Sequence, residues 1–221
     1  MQIRSSVIAS TAVLFLASAV VSWGGTIAIN NPSFESPSCQ GTAPVTCAVN
    51  GWAAVGAAGA ELPTGVFAPP YSQTAAFDGS QYAFVNGGAS LTQDLATSLL
   101  AGTEYELTVW VLNRGCGGCV FDPTAELLVG GVDVGAATGT TPALGTWGEW
   151  TLDYVSPGSG PLVGGDLSIQ LSAAANQGDF DLVGLSSNAT ASGVPEPSTF
   201  LFAGAGLLGL GLAARRRRLA R

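Results

Sequence analysis

From residue 81 to residue 185 the apolar residues of this chain fall at every second position, segment after segment. No stretch offers the three-and-four spacing of an amphipathic helix. Glu104 to Asn113 sets Tyr105, Leu107, Val109 and Val111 on one side, and the same pattern returns in Trp150, Leu152 and Tyr154 and in Leu167, Ile169 and Leu171. Side chains two apart in an extended backbone share a face, so each segment reads as a strand with one dry face. Further strands are predicted at Gln81 to Val85, Ser90 to Leu95, Ala125 to Val129 and Phe180 to Leu185. Turn residues separate them, at Pro69-Pro70, Asp78-Gly79, Gly87-Gly88, Gly130-Gly131 and Pro157-Gly158. About eight short strands without helices to cover a parallel sheet predict an all-β fold, an antiparallel β-sandwich or jelly roll.

Two apolar ends flank this region. Arg4 precedes the apolar segment Val7 to Val21, and Ala17-Ser18-Ala19 offers small residues for processing, so residues 1–25 read as a secretory signal peptide. The cut falls there or nearer Ala28, and a retained N-terminal helix is the alternative. At the other end stands Pro195-Glu196-Pro197, then an apolar run, then Arg215, Arg216, Arg217 and Arg218. The sixteen uncharged residues from Thr199 to Ala214 would rise ~24 Å as a helix, short of a ~30 Å hydrocarbon core. A transient transmembrane helix fits that length, with the arginines held on the cytoplasmic side.

The motif, the apolar run and the arginine cluster together resemble the PEP-CTERM sorting signal of Gram-negative bacteria, also called the ice-binding protein C-terminal domain. The resemblance covers residues 195–221, with 187–194 as a flexible spacer. It implies transit to the inner membrane, processing by an exosortase-type enzyme, and delivery to the cell surface or an exopolysaccharide matrix.

Residues 26–186 form the predicted sandwich, and its charge is lopsided. The chain holds seven basic and fifteen acidic residues and a formal charge of -8; Arg114 is the one base of this region, and every carboxylate except Glu196 lies within it. Such a surface makes nucleic acid and anionic membranes poor partners. Four cysteines in an exported chain favour disulfides, with Cys39 and Cys47 as one local pair and Cys116 and Cys119 as another. Cross-pairing between the two loops is the alternative, because spacing alone does not fix connectivity.

A second resemblance runs through Asn31-Pro32-Ser33-Phe34-Glu35, Gly51-Trp52, Asp78-Gly79-Ser80-Gln81-Tyr82, Ala101-Gly102-Thr103-Glu104-Tyr105, Trp147 and Phe180-Asp181-Leu182-Val183. In that order they are similar to the galactose-binding-like jelly roll of bacterial carbohydrate-binding modules. The likeness implies that the first and last strands run side by side, bringing Glu35 near Asp181 around a structural Ca²⁺. The alternative for Glu35 is a turn cap accepting backbone N–H groups.

Glycan binding needs aromatic faces, and Phe67, Tyr71 and Phe77, around Pro69-Pro70, are the surface candidates. Trp52, Trp110, Trp147 and Trp150 read as core. Catalysis finds little support: without histidine there is no Ser-His-Asp or Cys-His arrangement, and without lysine no Schiff base. Glu104 and Glu106 share a strand face ~7 Å apart, but that face reads as solvated. Asp179 and Asp181 share another, which the calcium reading absorbs. The expectation is therefore a non-enzymatic exported protein that binds carbohydrate, the cell's own exopolysaccharide, or else a structural or adhesive sandwich without a defined ligand.

Overall fold

The computed structural model describes residues 24–40, 45–63, 74–114 and 120–189. Among them lie twelve strands: β1 (Gly25–Thr26), β2 (Val45–Cys47), β3 (Ala53–Val55), β4 (Ala58–Leu62), β5 (Tyr82–Val85), β6 (Ser90–Ser98), β7 (Thr103–Asn113), β8 (Pro123–Val129), β9 (Val132–Ala136), β10 (Thr146–Val155), β11 (Asp166–Ala173) and β12 (Gly178–Ala189). They pair antiparallel in two sheets, one ordered β10-β7-β12-β5-β4-β2 with β1 also on β12, the other β3-β6-β11-β8-β9. The predicted antiparallel sandwich is the observed fold.

Alternation decides what lies between the sheets. The larger one contributes Tyr105, Leu107, Val109 and Val111 from β7 and Phe180 and Leu185 from β12. The smaller contributes Leu91 and Leu95 from β6, Ala125, Leu127 and Val129 from β8, and Leu167, Ile169 and Leu171 from β11. Trp150, Leu152 and Tyr154 of β10 pack against the same core as predicted. Gly130 and Gly131, both at positive φ, close the β8–β9 hairpin with Val129 opposite Val132, as a two-residue turn of mirror-image type requires.

The N-terminal segment is pinned by side-chain amides. Gln93 takes the Asn30 N–H on its Oε1 at 2.6 Å and donates to the Asn30 carbonyl at 2.7 Å. Buried Phe34 meets Trp52 at 5.3 Å between ring centroids, while the indole N–H donates to the carbonyls of Asn30 and Asn31. Trp52 is thus core, as expected. Gln81, also buried, accepts from the Cys39 N–H at 2.9 Å and donates to the Phe34 and Pro37 carbonyls. Cys39 and Cys47 form a disulfide beside it; Cys116 and Cys119 lie outside the described residues.

The expected spacer starts later than its composition suggests. β12 continues through Ala189, with Ser187 opposite Tyr105, Asn188 opposite Glu104 and Ala189 opposite Thr103, because a long partner strand offers backbone groups that residues 187–189 can satisfy. β1 pairs with Ser186 and Ser187 of the same strand, so first and last strands do run side by side. No helix among the described residues is long and apolar enough to cross a membrane. Segments 1–23 and 190–221, including the expected signal peptide, transmembrane helix, Pro195-Glu196-Pro197 and Arg215 to Arg218, lie outside them.

Candidate functional site

Strand parity that sends Val109, Val111 and Phe180 inward sends their neighbours to the opposite face of the larger sheet. There, Trp110 and Leu112 of β7 sit beside Asp179 and Asp181 of β12, with Tyr82 and Phe84 of β5 and Glu61 of β4 beyond. An outward sheet face is ordinarily wet, yet Asp179, Asp181 and Tyr82 are 0% exposed and Leu112 is 2% exposed. Trp110 and Trp147, expected in the core, belong to this face instead: Trp110 alternates with the core residues of its strand, and Trp147 lies opposite Leu112.

Rings roof the face. Phe77 stacks on Trp110 with centroids 3.6 Å apart and planes 12° from parallel, and meets Trp147 edge-on at 6.5 Å. Trp147 meets Tyr82 at 5.5 Å and 75°, and its indole N–H donates to the Ala75 carbonyl at 2.8 Å. Of the three aromatic residues proposed from sequence, Phe77 is here and 40% exposed; Phe67 and Tyr71 lie outside the described residues.

Below the rings is a polar group of which the sequence offered Arg114, as a polar companion of the aromatic residues, and Asp179, but not Glu61 or Gln177. Arg114, at the end of β7, places Nη2 3.3 Å from Glu61 Oε1 and Nη1 3.9 Å from Asp179 Oδ1. Gln177 Nε2 donates to Asp179 Oδ1 at 2.6 Å and to Glu61 Oε2 at 3.1 Å. Among the described residues, two atoms here have no hydrogen-bond partner, Asp179 Oδ2 and the Tyr82 hydroxyl. Buried polar groups are nearly always partnered, so an orphaned pair on one face is where a ligand's polar atoms would complete the set.

Electrostatics follow from burial. Desolvation between Leu112 and Phe84 pushes Asp179 up to about 7, with Glu61 adding to the rise and Arg114 and the Gln177 bond opposing it. Burial and the nearby charges of Asp179 and Glu61 push the Tyr82 phenol well above its ordinary range. Desolvation works against the Arg114 charge, but Asp179 and Glu61 override it and its affinity for the proton rises. Asp179 can therefore carry a proton near neutral pH.

Glu35 makes the turn-cap contacts expected as the alternative to calcium, and Asp181 is likewise hydrogen-bonded to backbone N–H groups. Asp181 Oδ2 accepts the N–H groups of Phe77 and Asp78 at 2.8 and 2.9 Å, and Oδ1 accepts that of Leu182 at 2.8 Å. Glu35 Oε1 accepts the N–H groups of Ser80 and Gln81, both at 2.8 Å. The two carboxylates clamp opposite ends of one loop, residues 77–81. Gly79 in its middle has φ +73, and a Cβ there would fall 2.5 Å from Glu35 Oε1, so only glycine fits. Burial pushes Asp181 up to about 7, against the three amides that favour its anion. Glu35 takes both of its amides on Oε1, and Asp181 spreads three over its two oxygens; the Ca²⁺ shared by the two stays what the jelly-roll likeness implies. No group of three or more His, Cys, Asp or Glu gathers among the described residues.

Glu104 and Glu106 share this outer face but lie near the start of β7, between Val155 and Asp153 on one side and Asn188 and Ser186 on the other, four or more residues from Trp110.

Residues 25–186 match the family described as HpiC1-like, HpiC1 cyclase, and residues 193–218 match the PEP-CTERM protein-sorting motif. The second match makes the tail an export and membrane-associated sorting signal, which implies an exosortase-type processing enzyme. A crystal structure of a cyclase from Fischerella sp. TAU is similar at 23% identity and a TM-score of 0.62, over 77% of this chain and 100% of that one. Another from the same organism, in complex with 4-(1H-indol-3-yl)butan-2-one, has 23% identity and a TM-score of 0.61 over 76% and 100%. The CBM22-1 xylan-binding domain from Paenibacillus barcinonensis Xyn10C has 15% identity and a TM-score of 0.45 over 79% and 100%. No curated protein matches the chain. The family match overturns the expectation of a non-enzyme. Lacking histidine and lysine removes triads and Schiff bases, but a buried carboxyl that holds its proton needs neither.

Proposed function

Because the chain belongs to the HpiC1-like cyclase family, we propose that its sandwich closes a ring on an aromatic substrate by acid catalysis, on the outer face of the larger sheet. Asp179 is the acid. The observation that carries this reading is the orphaned, fully buried Oδ2 of Asp179 beside the orphaned Tyr82 hydroxyl, beneath the Phe77, Trp110 and Trp147 rings.

The proton on Asp179 Oδ2 passes to an electron-rich atom of the substrate. The resulting cation is attacked by an internal π-bond to form the new ring, and the proton lost from the attacking carbon returns to Asp179. The sequence is an isomerisation with no oxidant or reductant. A positioned acid of this kind supplies about 10²–10⁴ in rate, and the ring faces of Trp110 and Trp147 stabilise the passing positive charge. Tyr82, kept neutral by its surroundings, donates or accepts one hydrogen bond to orient the substrate.

The test uses 4-(1H-indol-3-yl)butan-2-one as probe. Calorimetry of the full chain in detergent is expected to show saturable binding, and NMR in D₂O to show deuterium entering the indole ring carbons faster than in buffer. Asp179→Asn is expected to keep the binding and lose the exchange; absence of both in the parent protein overturns the reading.

A second reading of the same face, recognition of an exopolysaccharide, is favoured by the 40% exposure of the Phe77 ring over Trp110, since sugar C–H surfaces stack on such faces. Binding on a glycan array that is lost in Phe77→Ala would support it. In either case we place the working domain beyond the inner membrane, at the surface or in the extracellular matrix of a Gram-negative cell.

A further inference from the structure

Residues 26–193 contain one basic residue, Arg114. It stands half-buried between two carboxylates, Glu61 and Asp179, which come from strands far apart in sequence. We propose that Glu61, with Gln177, holds Arg114 away from Asp179, so that Asp179 is gripped by one oxygen only and presents Oδ2 free to the substrate. The inference rests on the acid role given to Asp179 above and names the residues that make that role possible.

The contacts are one-sided. The contacts to Asp179 in this group fall on Oδ1: the Gln177 amide donates to it at 2.6 Å, and the Arg114 Nη1 lies 3.9 Å from it as an ion-pair contact. The Gln177 Nε2 has two protons, and both are placed, one on Asp179 and one on Glu61. Amide geometry therefore fixes the two carboxylates relative to each other. Arg114 leans to Glu61, at 3.3 Å, and stands beyond hydrogen-bond reach of Asp179.

Charge explains why the lean matters. A guanidinium with a carboxylate to itself in a dry site forms a two-pronged ion pair and draws that group into its anionic form. With Glu61 as counterion, the positive charge is matched and Asp179 stays available as an acid. Among the described residues, the groups facing Asp179 are Glu61 from β4, Tyr82 from β5, Arg114 from the end of β7 and Gln177 before β12, with Leu112 and Phe84 as apolar neighbours. Remove the Glu61 charge, and Arg114 has one anionic partner left. Glu61, Gln177 and Arg114 are positioning residues; none is asked to touch the reacting atoms.

A double-mutant cycle separates this from a merely structural role. Glu61→Gln keeps the shape and removes the charge; Arg114 is then expected to close on Asp179, and ring-carbon exchange of 4-(1H-indol-3-yl)butan-2-one to fall about tenfold or more while its Kd stays within about threefold, a split that marks a loss confined to the chemical step. Glu61→Gln with Arg114→Gln, which removes the intruding cation as well, is expected to recover most of the exchange. A structural defect would deepen in the double variant, and exchange as low as in Glu61→Gln alone overturns the proposal.

Guanidinium ¹⁵N NMR gives a readout independent of turnover. Arg114 resonances should respond to Asp179→Asn in the Glu61→Gln background far more than in the parent. Equal responses overturn the positioning role even if exchange is seen, whereas the expected response in a protein that exchanges nothing leaves this inference standing and removes the catalytic reading. Should Glu61→Gln fold poorly, Gln177→Leu serves the same end, expected to free the Asp179 carboxyl to rotate and to lower exchange at unchanged Kd; unchanged exchange would count against the clamp.

Discussion

The larger sheet is dry on its inner face and, around Asp179, Asp181 and Tyr82, on part of its outer face as well, and the two dry regions are built from the same strands but differ in what they bury. On the inner face Leu107, Val109, Val111 and Phe180 are buried against apolar partners from the second sheet. On the outer face Asp179, Asp181 and Tyr82 are as fully buried, but with charges and orphaned polar atoms. Burying carbon stabilises, at about 25 cal/mol per Å², whereas burying a carboxyl costs unless it is partnered or neutral. One face of each strand therefore stabilises the fold, and the other holds groups that stability alone would not select. The same alternation that makes a sheet makes this division possible.

The largest effect expected on that contrast is inner: Leu107→Ala should lower unfolding free energy by about 2–5 kcal/mol, read from urea denaturation. The outer counterpart, Asp179→Asn, is expected to leave the fold intact and raise the melting temperature at pH 8. A loss of stability at Asp179 comparable to that at Leu107 would erase the distinction between the faces.

Next in size is pH. Asp179 and Asp181 are raised from ordinary values near 3.8 to about 7 in the folded protein. Folding therefore strengthens their hold on protons, and the stabilisation this brings is full below about pH 4 and lost as pH rises through about 7. The melting temperature should decline from pH 5 to pH 8, less steeply in Asp179→Asn. A rise over that interval attributable to these groups would mean that both are anions, held by Arg114 and by the loop amides.

Smaller still is the loop clamp. Glu35→Gln trades a charged acceptor for a neutral one, which should cost about 1 kcal/mol and loosen residues 77–81 to hydrogen exchange. Added Ca²⁺ tests the shared ion that the family likeness implies: a rise in the parent's melting temperature that Glu35→Ala abolishes would support it, and no shift would count against it.

The smallest effect is expected at the roof. Phe77→Ala removes a stacked ring and should weaken probe binding about three- to tenfold, the range of one aromatic contact of about 0.5–1.5 kcal/mol.

How much of this was visible beforehand follows from locality. β7 and β10 are long and alternate cleanly in their burial, and β11 and β12 are long and apolar at every second position over much of their length, so the fold was legible. β3, β4 and β9 are short and rich in alanine, glycine and valine, and they gain order from partner strands rather than from their own pattern. Asp179 and Asp181 could be placed on one face from spacing alone. Their partners could not, because Glu61 and Gln177 meet across 116 residues and Arg114 reaches Glu61 across 53, and only strand register brings them together. Two clues were nonetheless present: Trp110 alternates against Tyr105, Leu107, Val109 and Val111, which points a large ring away from the core, and the region's one base directly follows that strand. The tail was readable because a sorting signal acts as a linear sequence.

The most direct test is a crystal structure of the protein soaked with saturating 4-(1H-indol-3-yl)butan-2-one. The account predicts the indole against Trp110 and Phe77, with a polar atom of the ligand within hydrogen-bond distance of Asp179 Oδ2 or the Tyr82 hydroxyl. Ligand density elsewhere on the sandwich, with the outer face of the larger sheet vacant, would contradict it.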